Sequence, residues 1–372
     1  MTDLGQWFGR TSGTNSGFVV LNLEFQNPLI GRIMFADDNL QNPALSAAIK
    51  FNTFGKEIDA ELFDFEYFNY TTLQFEHSTL VNLQPNVRVA TKGKIHGLLE
   101  GQRITGSWSA DTDTSGDFQV NKSAVKTKKE PDLKIKSWDN FKKHVSSLVD
   151  KESRYIYRGQ KELEWNLCPS FYRNGRSDLL RYARNDVPML AHQINAISTF
   201  KYDLNKNDEF GALLNLAQHH GYPTPLLDWT ESPYVAAFFA YENVSKLSKR
   251  GFVRIYILNH LEWMKRTYQS RSIIDPRPTL TVSVLPAINN NRAIPQQSVY
   301  TFSNIEDIQG FINYYESLFN TKFLTVIELP IGERNKVMDD LRYMGITAGA
   351  LFPGFDGICK ALKERYFMPD QD

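Results

Sequence analysis

The sequence predicts two domains: an N-terminal all-β antiparallel barrel or sandwich, then a C-terminal α+β domain built on a mixed sheet. Three observations carry this. Residues 1–122 are short β-branched or aromatic runs separated by Gly, Asn, Asp and Pro, with no helical period. Residues 123–134 combine lysines, a proline and little apolar content, as a linker does. From residue 135 the apolar period becomes helical and then mixes with strands, without the alternation of a doubly wound sheet.

Composition narrows the function classes. A chain of 372 residues with 42% hydrophobic and 23% charged content reads as a soluble globular protein, and aromatics are frequent at 13%. Net charge is zero, so charge gives no argument for nucleic acid or membrane. It is unevenly placed: residues 1–120 hold 8 Lys/Arg against 14 Asp/Glu, a balance of −6, and the rest carries +6. Cys168 and Cys359 lie too far apart for a metal motif and suit a reducing cytoplasm. The start MTDLGQWFGR lacks a signal-peptide pattern, and no apolar run is long enough to span a bilayer. A cytoplasmic location is the expectation.

The β-rich part reads as GFVVLNLEF, GRIMFADD, AAIKFNTFG, TTLQFEHSTL, VRVATKGKIHGLL and RITGSWSA…GDFQV, the last two turning at Glu100-Gly101. This closing meander resembles the last hairpin of small lipocalin-like barrels. DTDTSGD (111–117) has the first half of a calcium loop, but Lys122 stands where a bidentate Glu belongs, so a turn is the better account. No catalytic constellation appears here, and the domain reads as a sensing or partner-binding module, with a regulator as the candidate partner.

In the second part Ser137 caps a helix with the apolar stripe Trp138, Phe141, Val145 and Leu148. YIYRGQ (155–160) follows as a strand, with Arg158 entering a turn at Gly159. A helical stretch over 177–203 is broken or kinked at Pro188, and a helix over 208–220 stops at Gly221. Strands are expected at 252–258, 279–285, 297–302 and 323–330, then helices from about 332 to Gly345 and from Asp356 or Gly357.

The densest segment is QHHGYPTPLLDWTESPYVAAFFAY (218–241). It reads as a helix end, a loop stiffened by Pro223 and Pro225, and a buried helix opened by Ser232-Pro233. Short stiff loops between buried elements fix polar groups well, here Gln218, His219, Thr224 and Asp228. The plain alternatives are dipole-favoured histidines and a hydrogen-bond hub at Asp228. His219 and His220 point about 100° apart on a helix, which argues against a shared metal, and no metal is expected. Walker, Rossmann and serine-nucleophile signatures are absent; GRTSGTNSG lacks the following Gly-Lys-Ser/Thr.

Tyr157-Arg158-Gly159-Gln160, Gln218 to Thr224, Leu226 to Thr230 and Ser232-Pro233 together resemble the FRG domain, and GITAGALFPGFDGICKAL is similar to its usual ending. The resemblance spans about 135–367. It departs at Pro225, where the family commonly has Arg. The family occurs in bacterial and phage-related proteins, which implies a toxin-like or phage-defence effector. A more distant resemblance links the Arg-Gly at a strand end, and DWTESPYVAAFFAY, to arginine-type ADP-ribosyltransferases. That resemblance implies NAD or a related nucleotide as ligand and a protein or nucleic acid as acceptor. It places Arg158, Gly159, Gln160, Gln218 and Thr224 against the substrate. Asp228, Gln297, Glu328 and His219 are the candidates for the chemistry. Two rival readings rest on the same residues: a metal-independent nuclease or phosphodiesterase using His219, and a binding module in which Arg158 and Asp228 form a structural ion pair. The partners of Arg158 discriminate these readings.

Overall fold

The computed structural model describes residues 4–24, 30–79, 88–123, 129–149, 153–173, 175–244 and 250–367. Of the linker expected at 123–134, residues 124–128 lie outside the described residues.

Nine strands form the first part: β1 (Gly5–Gly13), β2 (Gly17–Glu24), β3 (Ile30–Asp37), β4 (Leu45–Phe54), β5 (Glu57–Asn69), β6 (Gln74–Glu76), β7 (Gly93–Glu100), β8 (Arg103–Ala110) and β9 (Ser115–Lys122). Their order is β4-β3-β2-β1-β9-β8-β7-β5-β6, and β4 also pairs with β5. That pairing closes eight antiparallel strands into a barrel rather than a sandwich, with β6 outside on β5. Closure removes the sheet edges that a sandwich would have to protect. The inner face buries Trp7, Val19, Leu21, Leu23, Ile49, Ile58, Ile104 and Val120. The Gly101 turn adopts φ +62°. The 111–114 turn is held from outside: Asp111 accepts from the amide and hydroxyl of Thr91.

The second part has six strands: β10 (Tyr155–Gln160), β11 (Leu226–Thr230), β12 (Phe252–Asn259), β13 (Leu280–Ser283), β14 (Ser298–Ser303) and β15 (Leu324–Pro330). Its helices are α1 (Trp138–Ser147), α2 (Ser170–Arg173), α3 (Leu179–Arg181), α4 (Val187–Ile197), α5 (Asn207–His219) and α6 (Pro233–Tyr241). They continue with α7 (His260–Arg266), α8 (Ile308–Phe319), α9 (Arg334–Tyr343), α10 (Ala348–Leu351) and α11 (Phe355–Phe367). The sheet order is β13-β14-β11-β10-β12-β15, and every pair is antiparallel. The expected mixed sheet is thus corrected: among the described residues every neighbouring pair of strands is antiparallel, because strands that run in the same direction, such as β11 and β12, are separated by a strand that runs the other way.

Local chemistry explains the helix ends. The Ser137 hydroxyl accepts from the Asn140 amide and Ser232 accepts from Val235, each capping its helix. The stretch around Pro188 widens into a π turn at Tyr182–Asp186, which absorbs the missing proline N–H before α4 begins. Gly221 and Gly345 stop α5 and α9 at φ +85° and +79°.

One core runs through both parts. Val20, Met34, Ala36, Ala44, Phe68 and Phe75 of the barrel pack with Phe171, Tyr182, Trp263 and other aromatics of the second part. Polar groups seal the seam. Buried Glu24 accepts from Arg176, Arg181 and the amides of Ser177 and Asp178. Gln6 bonds the Asn304 carbonyl and the Glu306 amide. The other face of the six-stranded sheet packs α1, α6 and α9 through Trp138, Phe238, Val337 and their neighbours.

Candidate functional site

The segment expected as a loop between two helices contains a strand. Leu226–Thr230 is β11, near the middle of the sheet, between β10 and β14. The run LLDWT is too short for a period to show, and the prolines on its N-terminal side disguise its start. The consequence matters for chemistry: Asp228 sits on a rigid sheet position opposite Tyr300, where its geometry is fixed by strand pairing.

β10 carries Arg158 beside β11. Its Nη1 donates to the main-chain carbonyl of Asp228 at 2.5 Å, while its Nε is sealed from water without a partner. The expected discriminator therefore falls between its two outcomes: no bidentate carboxylate pair forms. Burial lowers the pKa of Arg158, and the nearby Asp228 charge opposes that shift. The Asp228 carboxylate accepts from Gln218 Nε2 at 2.5 Å, and the buried Thr224 hydroxyl donates to Gln218 Oε1. Thr224 is itself tied to the Ser170 hydroxyl through its amide at 3.0 Å. Asp228 is thus held by an amide rather than by a cation.

His219 stands at the end of α5, its Nε2 3.4 Å from the Tyr300 hydroxyl. Burial pulls the His219 pKa below its usual value, outweighing the opposite pull of Asp228. His220 is exposed. Arg292 donates to the His219 carbonyl at 3.1 Å.

Two positions along the sheet lies a second row, whose one cation, Arg254, the sequence reading missed. Gln160, Arg254 and Glu328 are register partners on β10, β12 and β15, and Arg158 pairs with Tyr256. Arg254 Nη2 bonds the Glu328 carboxylate, with side chains only 6% and 19% exposed. Among the described residues its Nε and Nη1 have no acceptor, and Gln160 Oε1 has no donor. Burial lowers the Arg254 pKa, but the bond to Glu328 and the neighbouring Tyr256 hydroxyl raise it overall. The signal was present in FVRIYIL, a charged residue inside an otherwise apolar run.

The structure therefore brings together Arg158, Gln160, Gln218, His219, Thr224 and Asp228. Glu328 shares the same strip but is committed to Arg254. Gln297 stands apart, exposed in a left-handed turn (φ +49°) just before β14, where its carbonyl accepts from Glu231. Gly159 has a different reason from ligand approach. A Cβ there would fall 1.9 Å from the Ala236 carbonyl oxygen of α6, so the glycine lets that helix lie against the sheet. Among the described residues no group of three or more His, Cys, Asp and Glu is placed to hold a metal, and no helix is long and apolar enough to cross a membrane.

No curated protein matches the chain. Among solved structures it is similar to the crystal structure of Rv2717c from M. tuberculosis, at 12% identity and a TM-score of 0.20, over 32% of this chain and 92% of that one. That score is too low to support an argument. The family comparison is more informative, because it covers the strand of Arg158, the Gln218–Asp228 network and the cap of α6 in one continuous match: residues 153–249 match the FRG domain.

Proposed function

We propose that the FRG domain binds a nucleotide through its phosphates, with NAD or a related dinucleotide as substrate, and transfers ADP-ribose within a toxin-like or phage-defence effector. One observation carries the reading. Two guanidiniums, Arg158 and Arg254, lie on neighbouring strands and keep three N–H-bearing nitrogens without acceptors among the described residues. Buried donors of this kind are costly to leave unmade, and a diphosphate supplies the acceptors they lack. Asp228 is the carboxylate beside Arg158. It would stabilise the positive charge that develops on the ribose as the C–N bond to nicotinamide breaks. Nicotinamide leaves with the bond's electron pair, and the acceptor attacks the ribose carbon. His219, held neutral by burial, is a suitable base for the acceptor's proton. Gln218 and Thr224 orient Asp228.

The neutral state of His219 also favours a second reading, metal-independent cleavage of a phosphodiester with His219 as base. The test is nicotinamide release and NAD binding by the purified chain, with Arg158→Ala as the control and circular dichroism to check folding. The transferase reading expects binding, release, and a loss of about 10- to 100-fold in affinity in the variant. The absence of both nicotinamide release and calorimetric binding sinks it. Hydrolysis of a dinucleotide phosphodiester with NAD untouched moves the assignment to the second reading.

A further inference from the structure

We propose that the barrel is itself a receptor, taking one small, uncharged and largely apolar molecule that carries a hydrogen-bond acceptor. The inference rests on the barrel alone and is independent of the nucleotide reading.

The inner face is divided in two. At one end Leu21, Ile49, Ile58, Ile104 and Val120 fill the interior, leaving a space of only about 20 Å³. At the other end the interior is not filled: a cavity of about 410 Å³ opens among the turns that carry Asn15, Asn42 and Thr112. Protein cores are otherwise packed almost as densely as organic crystals, and an eight-stranded barrel has room either for its own side chains or for one small ligand. Here one chain does each in a different half.

The walls specify the ligand's chemistry. They are mainly apolar and aromatic, including Val19, Phe35, Leu45, Ile95 and Phe118. Two of the lining residues each carry a buried polar atom, Thr11 Oγ1 and Trp108 Nε1, that has no hydrogen-bond partner among the described residues. An indole N–H can only donate, so the missing partner is an acceptor. Asp37 already accepts from Asn15 and Asn42, and Arg88 is 78% exposed beside Asp113. Among the described lining residues, then, the one carboxylate is already engaged by amides and the one cation stands out in solvent. Strand β3 links the cavity to the rest of the molecule: Phe35 lines it, while Met34 and Ala36 belong to the core shared with the second domain.

The probe is prodan, an uncharged aromatic ketone whose emission shifts to the blue in apolar surroundings, titrated into the full chain. A saturable blue shift at one probe per chain is expected. Trp108→Phe keeps the ring and removes the donor, and is expected to weaken binding about 3- to 10-fold. Ala110→Phe fills the cavity and is expected to abolish binding. If that variant loses its near-ultraviolet dichroism, Asn42→Trp, on a turn at the cavity's mouth, serves instead. Absence of a saturable shift overturns the proposal. So does unchanged affinity in a folded blocking variant, since the probe would then sit elsewhere.

Discussion

The two sheets of this protein put opposite chemistry on their covered faces. The barrel turns aliphatic side chains inward and keeps ionised groups off its filled half. The six-stranded sheet buries Arg254 and half-buries Arg158, Asp228 and Glu328 along a strip that runs from β11 to the edge strand β15, and both arginines have donors left over among the described residues. Burying charge is expensive, and stability alone is better served by apolar residues of similar size. The barrel shows that this chain builds such apolar faces readily. Stability alone therefore does not account for the charged strip.

The contrast extends to how each sheet tolerates change, and Gly159→Ala gives the largest expected effect. Its Cβ would lie 1.9 Å from the Ala236 oxygen and 2.8 Å from the Ala240 nitrogen, both backbone atoms of a buried helix. Neither can retreat without lifting α6 off the sheet, so a loss of about 3 kcal/mol or more is expected in denaturant unfolding. At Gly101 of the barrel φ is +62° but a Cβ would have open space, so Gly101→Ala should cost about 1 kcal/mol of backbone strain. Equal losses at the two sites would show that α6 is less constrained than the contact implies.

The seam between the domains supplies the next test. Glu24, 6% exposed, collects two guanidiniums and two main-chain amides. Glu24→Ala leaves those donors to partial solvent and should cost on the order of 3 kcal/mol. If the shared core still couples the domains, calorimetry will show one transition at lower temperature. Two separate transitions would mean that the polar clasp, not the aromatic core, joins them.

A pH effect is expected at the same seam. Burial raises the Glu306 carboxyl from 4.5 to about 7, helped by Asp307 and opposed by Gln6 and Lys122. Its folded pKa exceeds its unfolded value, so its contribution is fully present below about pH 4.5 and is lost as pH rises towards 7. The span is worth roughly 3 kcal/mol. Glu306→Gln should flatten this part of the stability profile and be the more stable form at pH 8. A profile identical to the parent's would mean that the carboxyl ionises freely when folded.

Legibility followed the same division. Barrel strands such as GFVVLNLEF announce themselves, because alternation or β-branching sets each one apart. The long strand β5 did not: its outward acids Glu57, Asp59 and Glu61 conceal the inward Ile58, Ala60 and Leu62. Asp64, at φ +54°, then shifts the alternation where the β4–β5 register slips. In the second domain Arg158, Gln218, His219, Thr224 and Asp228 were legible because polar residues there interrupt stiff or apolar runs. Arg254 was passed over because it is one charge in a strand that otherwise reads as core. Its role depends on register with Glu328 and Gln160, across residues far apart in sequence, which no local pattern records.

The smallest expected effect probes whether the site's support comes from the sheet or from the helix ends. Ser232 caps α6, accepting from the Val235 amide at 3.2 Å, just after the strand that carries Asp228. Ser232→Ala should cost about 1 kcal/mol, the usual value of a lost cap. Pro233 and the buried stripe of α6 should keep the helix in place. Because β11 is fixed on both sides by β10 and β14, ligand affinity at Arg158 should stay within about twofold of the parent's. A much larger loss of affinity than of stability would mean that the cap positions Asp228, and that the helix end, rather than strand pairing, holds the strip in order.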